Sequence, residues 1–182
     1  MRTRAKAVWD GMMRRCYDAK SLKKWPTYVG AAVCPEWHDF EVFKTWFEAH
    51  YIEGFDLDKD ILSENRKIYG PDTCLFVPQW LNKFMTSFEQ KKGRDLPTGV
   101  NRRSTYYRAR GRHPFKGEVQ IGYFPTIDEA HAAYINHKCS VLDELRPALD
   151  KIDTRIYNAL LSKLRGTDTT AAATPGQISW DK

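Results

Sequence analysis

Arg108, Arg110 and Arg112 stand at every second position of the segment Tyr107-Arg108-Ala109-Arg110-Gly111-Arg112. In an extended strand such residues share one face, opposite Tyr107, Ala109 and Gly111. Three guanidiniums crowded this way repel one another unless water or an anion screens them. Arg102, Arg103 and Lys116 add charge nearby. Guanidinium groups contact phosphates and pair bidentately with guanine, and a strand ribbon is narrow enough to enter the major groove. The chemistry on offer is recognition of a polyanion; a solvated basic face is the other reading of the same stripe. A second group of chemically capable residues is Cys34-Pro35-Glu36-Trp37-His38, with Cys16 and Cys74 elsewhere in the chain. Structural zinc would need four convergent nitrogen or sulfur donors, usually announced by paired CxxC knuckles, and the four cysteines form no such pair. Reduced, separate thiols are therefore the expectation, and zinc is not.

Elements must position these groups, and the hydrophobic spacing outlines them. Val8/Trp9, Met12/Met13 and Cys16/Tyr17 predict a helix over Ala7 to Tyr17, with Arg14 and Arg15 available for its exposed face. Tyr28 to Cys34 reads as a short strand or turn. Phe40, Phe43, Trp46 and Phe47 give a second helix to Tyr51, and so many large aromatics belong to a core. Phe55 to Ile61 alternates as a strand, Cys74 to Val77 is a second strand, and a helix follows from Gln79 to about Lys91. Lys91 to Pro97 has the composition of a linker. Beyond it, Val100 to Arg112 and Glu118 to Phe124 read as strands. Thr126 and Glu129 have the spacing of a capping box and open a helix that runs to about Leu145 and stops near Pro147. Ile152, Ile156, Leu160 and Leu164 mark a last helix. The tail from Gly166 has no core-forming period, and disorder is expected there.

Two stretches resemble known families. Gly99-Val100-Asn101-Arg102-Arg103, Tyr107 to Arg112, Val119 to Ala130 and Ala133-Tyr134 together resemble the AP2 DNA-binding domain. The resemblance implies a three-stranded antiparallel sheet packed on one helix, over residues 99–146, that reads double-stranded DNA with the sheet. Carried over by position, the groove-facing residues are Asn101, Arg103, Arg110, Arg112 and Gln120, with Arg108 on the same face and Arg102 beside them. Asn101 stands where the plant proteins usually have Arg, and Gln120 where they have Trp, so the base sequence those proteins read does not transfer.

In the other half, Leu57-Asp58-Lys59-Asp60, Tyr69 to Pro78 and Asn82 resemble the ββα-metal core of HNH endonucleases. Trp9, Met13, Arg15, Cys16 and Tyr17, with Cys34, Glu36, Trp37 and Phe40, are similar to the phage and mobile-element members that carry an AP2-type reader. That resemblance implies Asp58 and Asn82 as ligands of Mg²⁺ or another divalent metal, which would polarise a scissile phosphate. Lys59 occupies the position of the usual histidine base. An ammonium cannot take a proton at neutral pH, so Lys59 would neutralise phosphate charge while another group, Tyr69, His50 or Asp60, activated water. The domain order implied is an HNH-like domain over 1–92, a linker over 93–98, the AP2-like domain over 99–146, a C-terminal helix over 147–165 and a tail over 166–182.

Composition fits these readings. The chain of 182 residues is 42% apolar and carries a formal net charge of +6, so a packed core and a polyanionic partner are expected, and the mixed helix and strand patterns make the expected fold class α+β. No apolar run approaches the length of a membrane span, and nothing resembles a signal peptide. A cytoplasmic protein, acting in the host cell if phage-encoded, is expected rather than a membrane-bound one. Two functions from different classes follow. One is a homing-type endonuclease that nicks or hydrolyses DNA. The other is a non-catalytic DNA-binding protein built on a degenerate HNH core.

Overall fold

Residues 3–63, 66–88 and 93–168 are described by a computed structural model of the chain. The fold is mixed α+β, as the two periodicities predict, with two short strand pairs and one three-stranded antiparallel sheet among the described residues. The chain divides into two units between Lys83 and Phe84. That point precedes the Lys91–Pro97 stretch expected as the linker. Phe84 and Ser87 belong with the second unit because its residues hold them: the Tyr134 hydroxyl donates to the Ser87 carbonyl at 2.6 Å, and Lys138 Nζ lies 4.7 Å from the Phe84 ring centroid.

The first unit opens with α1 (Arg4–Tyr17), three residues earlier than the apolar spacing suggests, because the Thr3 side chain accepts from the Lys6 amide and caps it. Asp18 caps a short α2 (Ala19–Lys24) in the polar stretch, where no apolar period betrays a helix. Asp39 caps α3 (Phe40–His50) through the Glu41 amide. Trp37, Phe43 and Phe47 are buried between α1 and α3, and the Trp9 indole donates to the Trp37 carbonyl at 2.7 Å. This aromatic cluster is the expected core.

Strands β1 (Ala32–Val33) and β3 (Ile68–Tyr69) pair in parallel, while β2 (Phe55–Asp58) and β4 (Leu75–Pro78) pair antiparallel and lead directly into α4 (Gln79–Thr86). Two expectations are corrected here. The strand read through to Ile61 ends at Asp58, whose carboxylate accepts from the amides of Asp60 and Ile61 at 2.8 Å each and bends the chain. Helix α4 ends at Thr86, followed by a turn through Ser87 and Phe88; the last part of the helix once expected to Lys91, residues 89–91, lies outside the described residues.

The second unit is built on β5 (Val100–Arg103), β6 (Tyr106–His113) and β7 (Gly117–Phe124), in that order across the sheet. The stretch from Val100 to Arg112 is thus two strands joined at Ser104, whose φ of +43° makes the tight reversal. Thr126 caps α5 (Ile127–Leu149) by accepting from the Glu129 amide at 3.2 Å. Val100 and Ala109 pack with Ala130 of α5, joined by Tyr107, Ile121 and Phe124. Helix α5 continues past Pro147 to Leu149, and the Asp150 amide reaches the Arg146 carbonyl. A proline in the last turn removes only one internal donor, so it does not end the helix there. Helix α6 (Arg155–Asp168) buries Ile156, Leu160 and Leu164. Ile152 precedes the helix, and α6 runs beyond Gly166; residues 169–182, most of the expected disordered tail, lie outside the described residues. No described helix is long and apolar enough to cross a membrane.

Candidate functional site

Strand register decides which residues of the sheet share a face. Asn101 opposes Arg108, Arg103 opposes Tyr106, Arg108 opposes Tyr123, Arg110 opposes Gln120, and Arg112 opposes Glu118. Directly opposed side chains emerge on the same side. Ala109, Gly111 and His113, the alternate residues of β6, are buried. The outer face therefore gathers six of the seven predicted DNA-contacting residues: Asn101, Arg103, Arg108, Arg110, Arg112 and Gln120. Arg102 is the seventh, and it is separated from them. It opposes Tyr107 on the helix-facing side, donates to that hydroxyl at 3.2 Å and lies 5.7 Å from the ring centroid.

The guanidiniums of the outer face are sparsely compensated. Arg110 pairs with Glu118 at 3.5 Å, both well exposed, so the pair contributes little. Among the described residues Arg103, Arg108 and Arg112 have no ion-pair partner, and Arg108 Nε is buried without a hydrogen-bond partner. Asn101 is half-buried, and its side-chain oxygen accepts from Arg94 at 3.4 Å. The same face carries Tyr106 and Tyr123, both exposed. Neither tyrosine was singled out from the sequence, although Tyr106 has the same parity as the three arginines of β6. Tyr123 was hidden by a bulge: Ala109 opposes Gly122 while Arg110 opposes Gln120, which leaves Ile121 as an extra residue on β7.

Below the sheet the environment is of another kind. Lys138 is buried on α5, and its ammonium donates to Ser87 Oγ at 2.8 Å and the Arg112 carbonyl at 3.3 Å. Burial pushes its pKa down to about 8. His113 Nδ1 accepts from the amides of Phe115 and Lys116, and Lys116 meets Glu144 at 2.6 Å. These contacts tie the β6–β7 turn to α5.

In the first unit, Asp58 ends β2 opposite Leu75, and strand, strand and helix follow in the expected order. Its Oδ1 is committed to the two turn amides, which leaves Oδ2 as the oxygen it can offer an ion. Burial raises its carboxyl above the ordinary carboxylate range, against the lowering effect of the Ile61 amide. Asn82 lies half-buried on α4. The described residues contain no group of three or more His, Cys, Asp or Glu able to hold a metal ion. Mg²⁺ can be held by one or two protein oxygens with water and substrate phosphate, so Asp58 and Asn82 would be a thin but chemically admissible donor pair.

The proposed catalytic neighbours fare differently. Lys59 is 4% exposed, paired with the Asp60 carboxylate, and its ammonium lies 5.6 and 5.5 Å from the ring centroids of Tyr28 and Tyr69. Tyr69 is 2% exposed, and burial drives its hydroxyl far above the ordinary phenol range, so it is held neutral and is unsuited to activate water at neutral pH. His50, also considered for that task, stacks on Trp46 with its Nδ1 2.7 Å from the Trp46 carbonyl. Asp60 is exposed and engaged by Lys59.

Arg15 corrects a sequence expectation. It is half-buried rather than turned to solvent, its Nε donates to the Tyr69 hydroxyl at 3.2 Å, and its guanidinium lies 5.6 and 5.7 Å from the centroids of Tyr28 and Tyr69. Arg15 and Lys59 thus bracket the same two rings. Helical spacing assigned Arg15 to the exposed face because it carries no information about a tyrosine 54 residues away. No protein-family profile, curated protein or solved structure matches the chain.

Proposed function

We propose that this chain binds double-stranded DNA through the outer face of its three-stranded sheet. One observation carries the reading: Asn101, Arg103, Arg108, Arg110, Arg112 and Gln120 lie on a single face, with three of its four arginines unpaired among the described residues. Concentrating unpaired cations costs self-repulsion, which the opposite charge of a phosphate backbone relieves, and the counterions it releases add to the affinity. Guanidiniums and amides at alternate strand positions also suit base edges in the major groove.

A second reading adds catalysis, as a metal-dependent HNH-type endonuclease that nicks or hydrolyses phosphodiester bonds. The strand–strand–helix order with Asp58 at a strand end supports it, as does the Arg15–Lys59 pair, whose positive charge suits a phosphate. Asp58 and Asn82 would hold the divalent ion, and the ion would polarise the scissile phosphate. Against it, Lys59 and Tyr69 are buried and occupied, and Asp58 serves its own turn. These commitments favour the non-catalytic alternative, a DNA-binding protein with a degenerate HNH core.

Fluorescence anisotropy with labelled duplex DNA across a salt series tests the first reading. Affinity should fall steeply with salt, and Arg110→Ala or Arg112→Ala should weaken it; an affinity unaffected by salt would exclude the sheet as a phosphate-binding face. Plasmid incubated with the protein and Mg²⁺ or Mn²⁺, with Asp58→Ala and EDTA controls, tests the second. Metal-dependent cutting lost in Asp58→Ala would establish the nuclease, whereas binding to the same DNA without cutting would leave the non-catalytic reading.

A further inference from the structure

Tyr106 and Tyr123 are 56% and 55% exposed on the outer face of the sheet. One such ring on a surface is ordinary; two on one cationic face are not. The register relates them closely. Tyr107 opposes Phe124 and Arg108 opposes Tyr123, so Tyr106 is the diagonal neighbour of Tyr123. Diagonal side chains on a sheet face stand roughly 7–8 Å apart, about twice the 3.4 Å step between stacked bases. Attachment points at that spacing let two parallel rings take one planar base between them.

The cations around the rings are arranged to match. Arg103 opposes Tyr106, and Arg108 opposes Tyr123. Neither arginine has an ion-pair partner among the described residues, and Arg108 Nε is buried without an acceptor. Ring and cation therefore alternate across the face, the pattern by which proteins hold unpaired nucleotides: π-faces stack while guanidiniums meet phosphates. An intact duplex cannot use such rings, because its bases already stack on each other and show only their edges.

We propose that Tyr106 and Tyr123 clasp a single unpaired base, bulged or extruded from a DNA duplex, while Arg103 and Arg108 hold the phosphates beside it. The inference rests on the DNA-binding reading and narrows its ligand to duplex DNA with a displaced nucleotide.

The test uses the full chain and two otherwise identical labelled duplexes, one fully paired and one with a single bulged 2-aminopurine. The bulged duplex should bind about tenfold more tightly, and the 2-aminopurine fluorescence should be quenched on binding as the base stacks. Tyr106→Ala and Tyr123→Ala should each reduce both the preference and the quenching while leaving affinity for the paired duplex nearly unchanged. Tyr106→Phe and Tyr123→Phe should retain both effects. Both side chains are surface-exposed, so thermal melting of the variants should match the parent. Equal affinity for the two duplexes, or a preference that survives both alanine changes, overturns the inference and leaves the DNA-binding reading standing. Failure to bind either duplex at low salt overturns both.

Discussion

Arg15 on α1 donates from Nε to the hydroxyl of Tyr69 on β3 across 3.2 Å, and the two residues lie 54 apart in sequence. The bond joins a helix to a two-residue strand that, among the described residues, pairs with β1 alone and buries Tyr69 in the core of the first unit. Tyr69→Phe should therefore cost about 1–2 kcal/mol, because Arg15 loses its acceptor in a partly buried setting. Arg15→Ala should cost a similar amount. In a double-mutant cycle by urea denaturation, the pair should show a coupling of about 1 kcal/mol; additive effects would mean that the bond contributes nothing of its own.

Arg102 and Arg103 are sequence neighbours on opposite sides of β5. Arg103→Ala should weaken duplex binding and lower the slope of log affinity against log salt by about one unit. Arg102→Ala should change neither by a comparable amount, because its side chain is engaged with Tyr107. Equal losses in the two variants, measured by anisotropy, would show that the outer face is not the binding face.

Lys138 gives the second unit a pH signature. Its folded pKa of about 8 lies below the ordinary lysine value because burial disfavours the ammonium. Between pH 8 and 10 the unfolded chain holds a proton on this lysine that the folded chain has released, so Lys138 contributes a rise of stability with pH, while Cys74, whose thiol burial raises to about 12, acts in the opposite sense over the same range. The rise should be on the order of 1–2 kcal/mol. Tyr134, raised by burial to about 12, acts in the opposite sense above pH 10, so the measurement belongs below that point. By urea denaturation between pH 7.5 and 9.5, the stability of the parent should rise relative to Lys138→Met by about that amount; parallel profiles in the two proteins would assign the effect elsewhere.

Gly111 of β6 and Gly99 just before β5 both lie close against α5. A Cβ on Gly111 would lie 2.2 Å from His137 Cδ2, while one on Gly99, where φ is +85°, would lie 2.1 Å from Tyr134 Cδ2. Gly111→Ala should lower stability by about 2–3 kcal/mol, and His137→Ala in the same chain should recover part of it by opening room. Gly99→Ala should cost at least as much, and removing Tyr134 should not rescue it fully, because the backbone strain persists. Thermal unfolding of the single and paired variants distinguishes the two causes.

Features governed by neighbouring residues were legible in the sequence. Thr126 and Glu129 announced the start of α5, the aromatics of α3 announced a core, and alternation placed Arg108, Arg110 and Arg112 together. Features governed by distant partners were not. Arg15 turns inward because of Tyr69, Arg102 falls on the other face because β5 pairs with Tyr107 in one register, and Phe84 and Ser87 join the second unit because Tyr134 and Lys138 bind them. Asp58 lay between the two cases: an Asx turn is local, yet a strand pattern continuing to Ile61 masked it. The resemblance to a nuclease core singled out Asp58, Lys59 and Tyr69 by position, and it carried no information on their burial.

The extra residue at Ile121 gives β7 two alternations that are out of phase. Before it, even-numbered Glu118 and Gln120 point outward; after it, odd-numbered Tyr123 does. Excising that one residue would bring the strand back to a single rhythm, with Gln120 and Tyr123 two positions apart and still on one face. The composition of the face is thus indifferent to the loss of Ile121, and what the extra residue supplies is one more apolar side chain packed against the core beneath the sheet.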